Sequence, residues 1–287
     1  MTPTLRFGIL RNFAIPFDGI VEQVLTYEAA GFDSVWGIDH LTRPTDPEAP
    51  LFEAWTGLAG LAALTTRIRL GILVTSNTFR HPALVAKAAT TVDHISRGWL
   101  EIGIGAGGFE QEHHTFDIPY PPPGERVDRL AEAVTIIDLL LRNDVTTYAG
   151  RFWTIENGPC RPQPVQTPRP PITIAGSGPR IVRLAATVAD RWNGYGTPEE
   201  TAANNHVIDQ QCASIGRDPG EVIRSVYLRS ASLGLDPWES EGAFRDIVAR
   251  YRDAGADELI FDPPAPEQMA TMREIAATTI PALRHIA

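Results

Sequence analysis

The chain has 287 residues, 43% of them hydrophobic and 21% charged, with a formal net charge of −10. That length suits one large α/β barrel or two smaller domains, and the acidic balance argues against nucleic acid as the main partner. No apolar run is long enough for a membrane span, and the first residues show no basic segment leading into an apolar core, so neither a membrane partner nor a signal peptide is expected. Cys160 and Cys212 fit no metal motif and no disulfide framework, and read as ordinary thiols of a reducing cytoplasm. Lys87 is the one lysine among 25 basic residues, a bias that points to the codon usage of a GC-rich genome.

Apolar β-branched runs alternate with helical periodicity along the chain. Leu5–Leu10 predicts a strand and Phe17–Ala30 a helix, stopped by Gly31. Asp33–Ile38 is the second strand and runs straight into Asp39-His40, ahead of a helix over Phe52–Leu64. Arg67–Val74 is the third strand. Pro82 suits the first turn of the helix that continues over Ala83–His94, and Leu100–Ile104 is the fourth strand. Glycines then dominate Gly103–Gly108, a loop is expected over Phe109–Tyr120, and Glu125–Leu141 is an amphipathic helix. Residues 143–170 leave the pattern, with a hairpin over Val145–Ile155 and a proline-rich stretch over Arg161–Pro171. The pattern resumes with strands at Ile172–Ala175, Arg191–Gly194, Val222–Leu228 and Glu258–Phe261, and helices at Arg180–Ala189, Pro198–Ile215, Ser240–Ala254 and Pro266–Ile286.

Eight strands alternating with eight helices predict a (β/α)8 barrel over 1–287 as one domain, with an insertion at 143–170; a doubly wound open sheet is the alternative. Barrel chemistry sits where strands end. Here that means Asp39-His40, Val74 to Arg80, Gly105 to Glu110 and Ala175 to Gly178, among others.

His40 is the one histidine at a strand C-terminus, a place from which an imidazole can move a proton. Gly176-Ser177-Gly178-Pro179 opens a helix, whose first N–H groups favour phosphate. Gly103–Gly108 allows close approach of a planar or anionic ligand, but it lacks the Rossmann spacing into a helix. Glu110, Glu112, His113 and His114 are adjacent and cannot all face one ion, so no metal is expected. Glu125, Arg126, Asp128 and Arg129 read as a solvated helix face, and Phe13, Phe79, Phe109, Trp153 and Tyr195 as candidates for an aromatic-lined pocket.

The stretches GFDSVWGIDHL (31–41), RIRLGILVT (67–75), FRHPALVAKAATTVDHISRGWLEIGIGAG (79–107), ITIAGSG (172–178) and VADRWNG (188–194) resemble the luciferase-like monooxygenase superfamily, over nearly the whole chain. The resemblance implies a barrel that binds FMN or the deazaflavin coenzyme F420 at its strand ends. It places Asp39 and His40 at the ring's edge, and behind the ring a non-proline cis peptide at Leu73-Val74, followed by Thr75. It sets Gly105, Ala106, Gly107 and Gly108 beside the ring, and gives Ala175, Gly176, Ser177 and Gly178 to the cofactor phosphate. Two departures separate this chain from the sugar-phosphate dehydrogenase branch. Gly108 stands where that branch has a glutamate, and Leu41-Thr42-Arg43-Pro44 where it has a tryptophan. No lysine is placed to hold a sugar phosphate, which argues against glucose 6-phosphate.

The expected activity is hydride transfer between F420 and a small organic substrate. His40 is then the proton carrier, Asp39 orients it, and Glu110 is the acid that could replace the missing glutamate. The codon signature favours F420, which actinobacteria make. The alternatives are an FMN-dependent monooxygenase of the same superfamily and a flavin-binding barrel without catalysis. The family resemblance also implies a homodimer, and the alanine-rich helices after strands two and three are the candidate contact surface, because small residues allow close helix approach.

Overall fold

The computed structural model describes residues 4–44 and 46–284. The fold is the (β/α)8 barrel that the alternation predicts, and not a doubly wound open sheet. In chain order the first elements are β1 (Arg6–Leu10), α1 (Phe17–Ala30), β2 (Ser34–Gly37), α2 (Ala54–Leu64), β3 (Arg69–Ile72), β4 (Thr75–Ser76), α3 (Pro82–Ser96) and β5 (Leu100–Gly105). Then come α4 (Glu110–Thr115), α5 (Pro123–Arg142), β6 (Val145–Ala149), β7 (Thr154–Pro159), β8 (Ile172–Ala175), α6 (Pro179–Val188), β9 (Arg191–Gly194) and α7 (Pro198–Ile215). The last are β10 (Ile223–Leu228), α8 (Ser230–Leu233), α9 (Glu241–Asp253), β11 (Glu258–Phe261), α10 (Met269–Glu274) and α11 (Ile280–Arg284).

Most differences from the sequence expectation have local causes. The strand expected over Arg67–Val74 is shorter, β3 at Arg69–Ile72, and after the cis peptide at Leu73-Val74 that the resemblance implies, the pairing resumes as β4 beyond the expected end. Helix α2 starts two residues after Phe52 because the Glu53 side chain caps it, accepting from the N–H groups of Trp55 and Thr56. Ser240 caps α9 in the same way. The loop expected over Phe109–Tyr120 contains α4. The closing helix expected over Pro266–Ile286 is segmented, with a π-helical turn over Ile275–Thr279, and its expected end at Ile286 lies outside the described residues. No helix among the described residues is long and apolar enough to cross a membrane.

The chain groups into two compact units. The first takes in the described residues of Met1–Arg11, Asp18–Trp36 and Thr173–Ala287. Its strands pair in parallel in the order β2-β1-β11-β10-β9-β8, with Ile9 in register with Val35 and Phe261. Parallel strands are covered on both faces, which is why they are continuous apolar runs. Phe7, Phe244, Phe261 and Trp238 form an aromatic cluster with ring centroids 5.2–5.9 Å apart. Arg191 and Glu258 form a buried ion pair at 3.1 Å.

The second unit takes in Asn12–Phe17 and Gly37–Ile172. Here β5 pairs in parallel with both β3 and β4, Leu70 opposite Leu100 and Thr75 opposite Ile104. Phe13 belongs to this core and not to a pocket wall. It is fully buried, and its ring lies where side chains on Gly37 and Gly57 would otherwise stand. The expected hairpin is β6 and β7, and two carboxylates fasten the insertion. Glu132 on α5 accepts from the N–H groups of Arg151 and Phe152 at 2.8 and 3.0 Å. Buried Asp93 on α3 accepts from the N–H groups of Val165 and Gln166 and from the Gln166 amide, at 2.7–3.0 Å. Cys160 and Cys212 are free and buried, one in each unit.

Candidate active site

Strand β2 ends at Gly37, so Asp39 and His40 lie on the loop that follows it, in the second unit. The expectation that Asp39 orients His40 is corrected by the structure: the two side chains go to different partners. Asp39 is 4% exposed, and its Oδ2 accepts from the Ser76 N–H at 2.8 Å. The Arg80 guanidinium meets the same carboxylate with both terminal nitrogens, Nη2 to Oδ1 at 2.9 Å and Nη1 to Oδ2. Arg80 Nη2 also reaches Glu53 Oε1 at 2.6 Å, which ties the start of α2 to the loop after β2. Burial raises the Asp39 pKa above its ordinary value, against the opposing pull of Arg80 and the Ser76 N–H.

His40 is held instead by Glu112 on α4. Nδ1 lies 2.9 Å from Glu112 Oε2, while Oε1 accepts from the N–H groups of Leu41 and Thr42, the latter at 2.9 Å. Burial alone would raise the Glu112 pKa. The hydrogen bonds from His40 and from the N–H groups of Thr42 and Leu41 outweigh it and hold the carboxyl below the usual range. An ionised carboxylate only accepts, so Nδ1 carries a hydrogen and Nε2 is the nitrogen left to take or give a proton. The His40 side chain is 29% exposed, and the Phe109 ring stands edge-on to it at 5.7 Å.

The glycine loop is seated on the residues after β4. Gly107 has φ +83°, and a Cβ there would lie 2.5 Å from Thr78 Oγ1 and 3.2 Å from Ser76 Oγ, so only glycine fits this approach. Beside it, a Cβ on Gly108 would meet nothing within 4 Å. The Thr75 hydroxyl, directly after the cis peptide, is buried without a hydrogen-bond partner among the described residues. An open space beside a glycine loop and an orphaned hydroxyl after the Leu73-Val74 peptide fit a planar, polar-edged ring. Leu73 and Val74 are themselves half-buried.

Glu110 is not brought to His40's partners. Its side chain is 64% exposed on the first turn of α4, with His114 Nε2 3.8 Å away. In the first unit, Ala175, Gly176, Ser177 and Gly178 lead from β8 into α6. Gly176 has φ +136°, its N–H donates to the Asn193 carbonyl, and its carbonyl accepts from the Trp192 indole at 2.9 Å. Gly178 is the N-cap of α6 and brings no side chain to cap it, so the start of that helix is open to an anion. Tyr195 is exposed in this unit, while Trp153 packs against His81 in the other.

Three residues of the second-unit cluster were not legible as partners in the sequence. Arg80 falls at a strand end but offers no sequence clue to Asp39. Glu53 carries a clue only to its place at a helix start, where acidic residues are enriched, and none to Arg80. Glu112 was visible only as part of an acidic and histidine-rich string that makes no sense as a metal site.

The sequence model of luciferase-like monooxygenases matches residues 3–279. An F420-dependent glucose-6-phosphate dehydrogenase of Kineococcus radiotolerans is 27% identical, covering 90% of this chain and 90% of that protein. Among solved structures, an F420-dependent secondary alcohol dehydrogenase holding an F420–acetone adduct superposes with a TM-score of 0.87 at 19% identity, over 98% of this chain and 99% of that one. A long-chain alkane monooxygenase superposes with a TM-score of 0.80 at 14% identity, over 99% of this chain and 92% of that one. At those identities the two structural likenesses speak to the fold, and the family assignment rests on the sequence match. The chain belongs to the luciferase-like monooxygenase family.

Proposed function

We propose that this protein is an F420-dependent oxidoreductase that passes a hydride between the deazaflavin ring and a small organic substrate. The observation that carries the reading is His40 hung from Glu112 by Nδ1, with no hydrogen bond to Nε2 among the described residues, on the loop that the family resemblance places at the ring's edge. The F420-dependent names of the sequence relative and of the structural neighbour support the choice of cofactor. When bound, F420 donates or accepts the hydride at its C5 position.

The chain's own residues do the rest. With F420 bound, Leu73, Val74 and Thr75 would back the ring and Gly105 to Gly108 would let it approach the backbone; the open start of α6 at Gly176 to Gly178, in the other unit, would take the phosphate. Asp39 is locked by Arg80 and the Ser76 N–H, which fixes the backbone from which His40 projects. His40 Nε2 gives a proton to the substrate oxygen when hydride arrives at carbon, and takes one when hydride leaves. Glu112 keeps the imidazole in the tautomer that this requires.

The substrate is a neutral carbonyl or alcohol and not a sugar phosphate. Gly108 supplies no carboxylate, and two exposed apolar side chains, Leu41 and Phe109, flank His40. Arg80, the cation nearest Asp39, is committed to Asp39 and Glu53. The assay is loss of the oxidised deazaflavin's visible absorbance with a panel of small alcohols, and its return with the matching ketones and aldehydes. Turnover of glucose 6-phosphate but of no neutral alcohol overturns the substrate assignment. We also propose a homodimer joined through α2 and α3, where Leu64 and Leu84 are exposed; a monomer by light scattering at micromolar concentration excludes it.

A further inference from the structure

Next to Glu112 on α4, His113 is 1% exposed and plays no part in holding His40. Successive helical residues project about 100° apart, so the two neighbours reach two different loops. Glu112 serves the loop after β2; His113 serves the glycine loop and the residues after β4. Its Nδ1 lies 2.7 Å from the Phe109 carbonyl, its Nε2 lies 2.6 Å from Thr78 Oγ1, and Thr78 Oγ1 lies 2.8 Å from Ser76 Oγ. The ring is packed between Phe79 and Tyr120, with centroids 5.0 and 4.7 Å away.

The directions of these bonds follow from one fact. The Phe109 carbonyl can only accept, so Nδ1 carries the hydrogen. In the neutral imidazole Nε2 then accepts, Thr78 donates to it, and Thr78 in turn accepts from Ser76. The chain therefore runs one way, from Ser76 to Thr78 to His113 to Phe109. It ends where the glycine loop ends. Two more of the loop's carbonyls are held: Gly105 accepts from the Asn77 N–H at 3.1 Å, and Gly108 from the Tyr120 hydroxyl at 3.2 Å. Gly107 rests on the Thr78 and Ser76 hydroxyls themselves.

We propose that His113 is the positioning residue of the glycine loop. It pins the Phe109 carbonyl directly, and through Thr78 and Ser76 it fixes the seat under Gly107. This rests on the reading that the loop lies beside the cofactor ring. On that reading the Thr78 hydroxyl sets cofactor affinity without touching the cofactor, and its methyl group matters little.

Two measurements test the proposal. The first is the F420 dissociation constant of Thr78→Val, which keeps the shape and deletes the hydroxyl, beside Thr78→Ser, which keeps the hydroxyl and deletes the methyl. Thr78→Val is expected to weaken binding about tenfold, the upper range for one lost hydrogen bond. Thr78→Ser should stay within about twofold of wild type. If Thr78→Ser weakens binding as much as Thr78→Val, or if Thr78→Val binds like wild type, packing and not the chain positions the loop. The second measurement needs no cofactor: long-range nitrogen–proton correlations of His113 in the wild-type protein at about pH 8. A hydrogen on Nδ1 is expected, and a hydrogen on Nε2 alone overturns the chain. A wild-type protein that binds no F420 contradicts the proposed function, while the tautomer result still decides the role of His113.

Discussion

His40 Nδ1 and Glu112 Oε2 stand 2.9 Å apart although 72 residues separate them in sequence. The same carboxylate takes the two N–H groups that follow His40, from Leu41 and Thr42. One side chain thus fixes both the imidazole's tautomer and the backbone that carries it. This is why Glu112 is as much part of the proposed chemistry as His40, although it never needs to touch substrate.

Replacing His40 by alanine is expected to lower kcat by about 10² or more, with the cofactor dissociation constant changing by less than about tenfold. Glu112→Gln presents an amide hydrogen to Nδ1, favours the wrong tautomer and should lower kcat by a similar factor. The two act as a unit, so His40→Ala/Glu112→Gln should be no slower than His40→Ala alone. Steady-state kinetics of the three variants check this, and additive losses contradict it.

Glu112 also makes stability depend on pH. Its pKa in the fold lies below 4.5, the value of the unfolded chain. The unfolded chain therefore takes up the proton first as pH falls. The stabilisation by the ionised group is complete above that unfolded value and is lost as pH drops through the folded one. Urea unfolding of wild type and Glu112→Gln should differ by about 1.5–3 kcal/mol at neutral pH. The difference should shrink as pH falls through the folded-state value of Glu112; a constant gap shows that the carboxylate's charge contributes nothing.

Arg80 is the sole cation facing the Asp39 carboxylate in the contacts described above. Removing one partner of a buried pair leaves the other uncompensated, so Arg80→Ala should cost about 3–5 kcal/mol. Asp39→Asn in the same chain removes the stranded charge and should recover part of that loss. Denaturant midpoints of the two single variants and the double variant read the coupling, and strict additivity contradicts it.

Gly178 offers a test in which stability and binding move in opposite directions. A Cβ there meets nothing within 4 Å, so Gly178→Asp is accommodated without strain. An aspartate at the N-cap should leave Tm unchanged or raise it, since it caps an otherwise uncapped helix. The same negative charge should weaken F420 about tenfold if its phosphate sits at this helix start. Unchanged affinity in the folded variant places the phosphate elsewhere.

The barrel and the loops that carry the candidate site were legible because strand burial leaves apolar runs and the glycine loops punctuate them. Asp39-His40 stood out because it follows such a run at once. The partners of those two residues were not legible, for a geometric reason: Arg80 and Glu112 meet them only after the strands have been brought side by side. Helix α4 is six residues long, too short to show a periodicity. Its Glu112-His113 pair therefore read as a loop string, when each residue in fact serves a different neighbour. The choice of Asp39 as His40's orienting group failed because adjacency in sequence says nothing about pairing. Arg80 and the Ser76 N–H claim the Asp39 carboxylate first. The π-helical turn at Ile275–Thr279 was equally invisible, since its residues are ordinary helix formers.

The central claim is that this barrel is built around F420. Its most direct test is a fluorescence titration of the purified protein with F420 and, separately, with FMN. The account predicts that F420 binds at least about tenfold more tightly, roughly 1.4 kcal/mol. Equal affinity, or a preference for FMN, contradicts it.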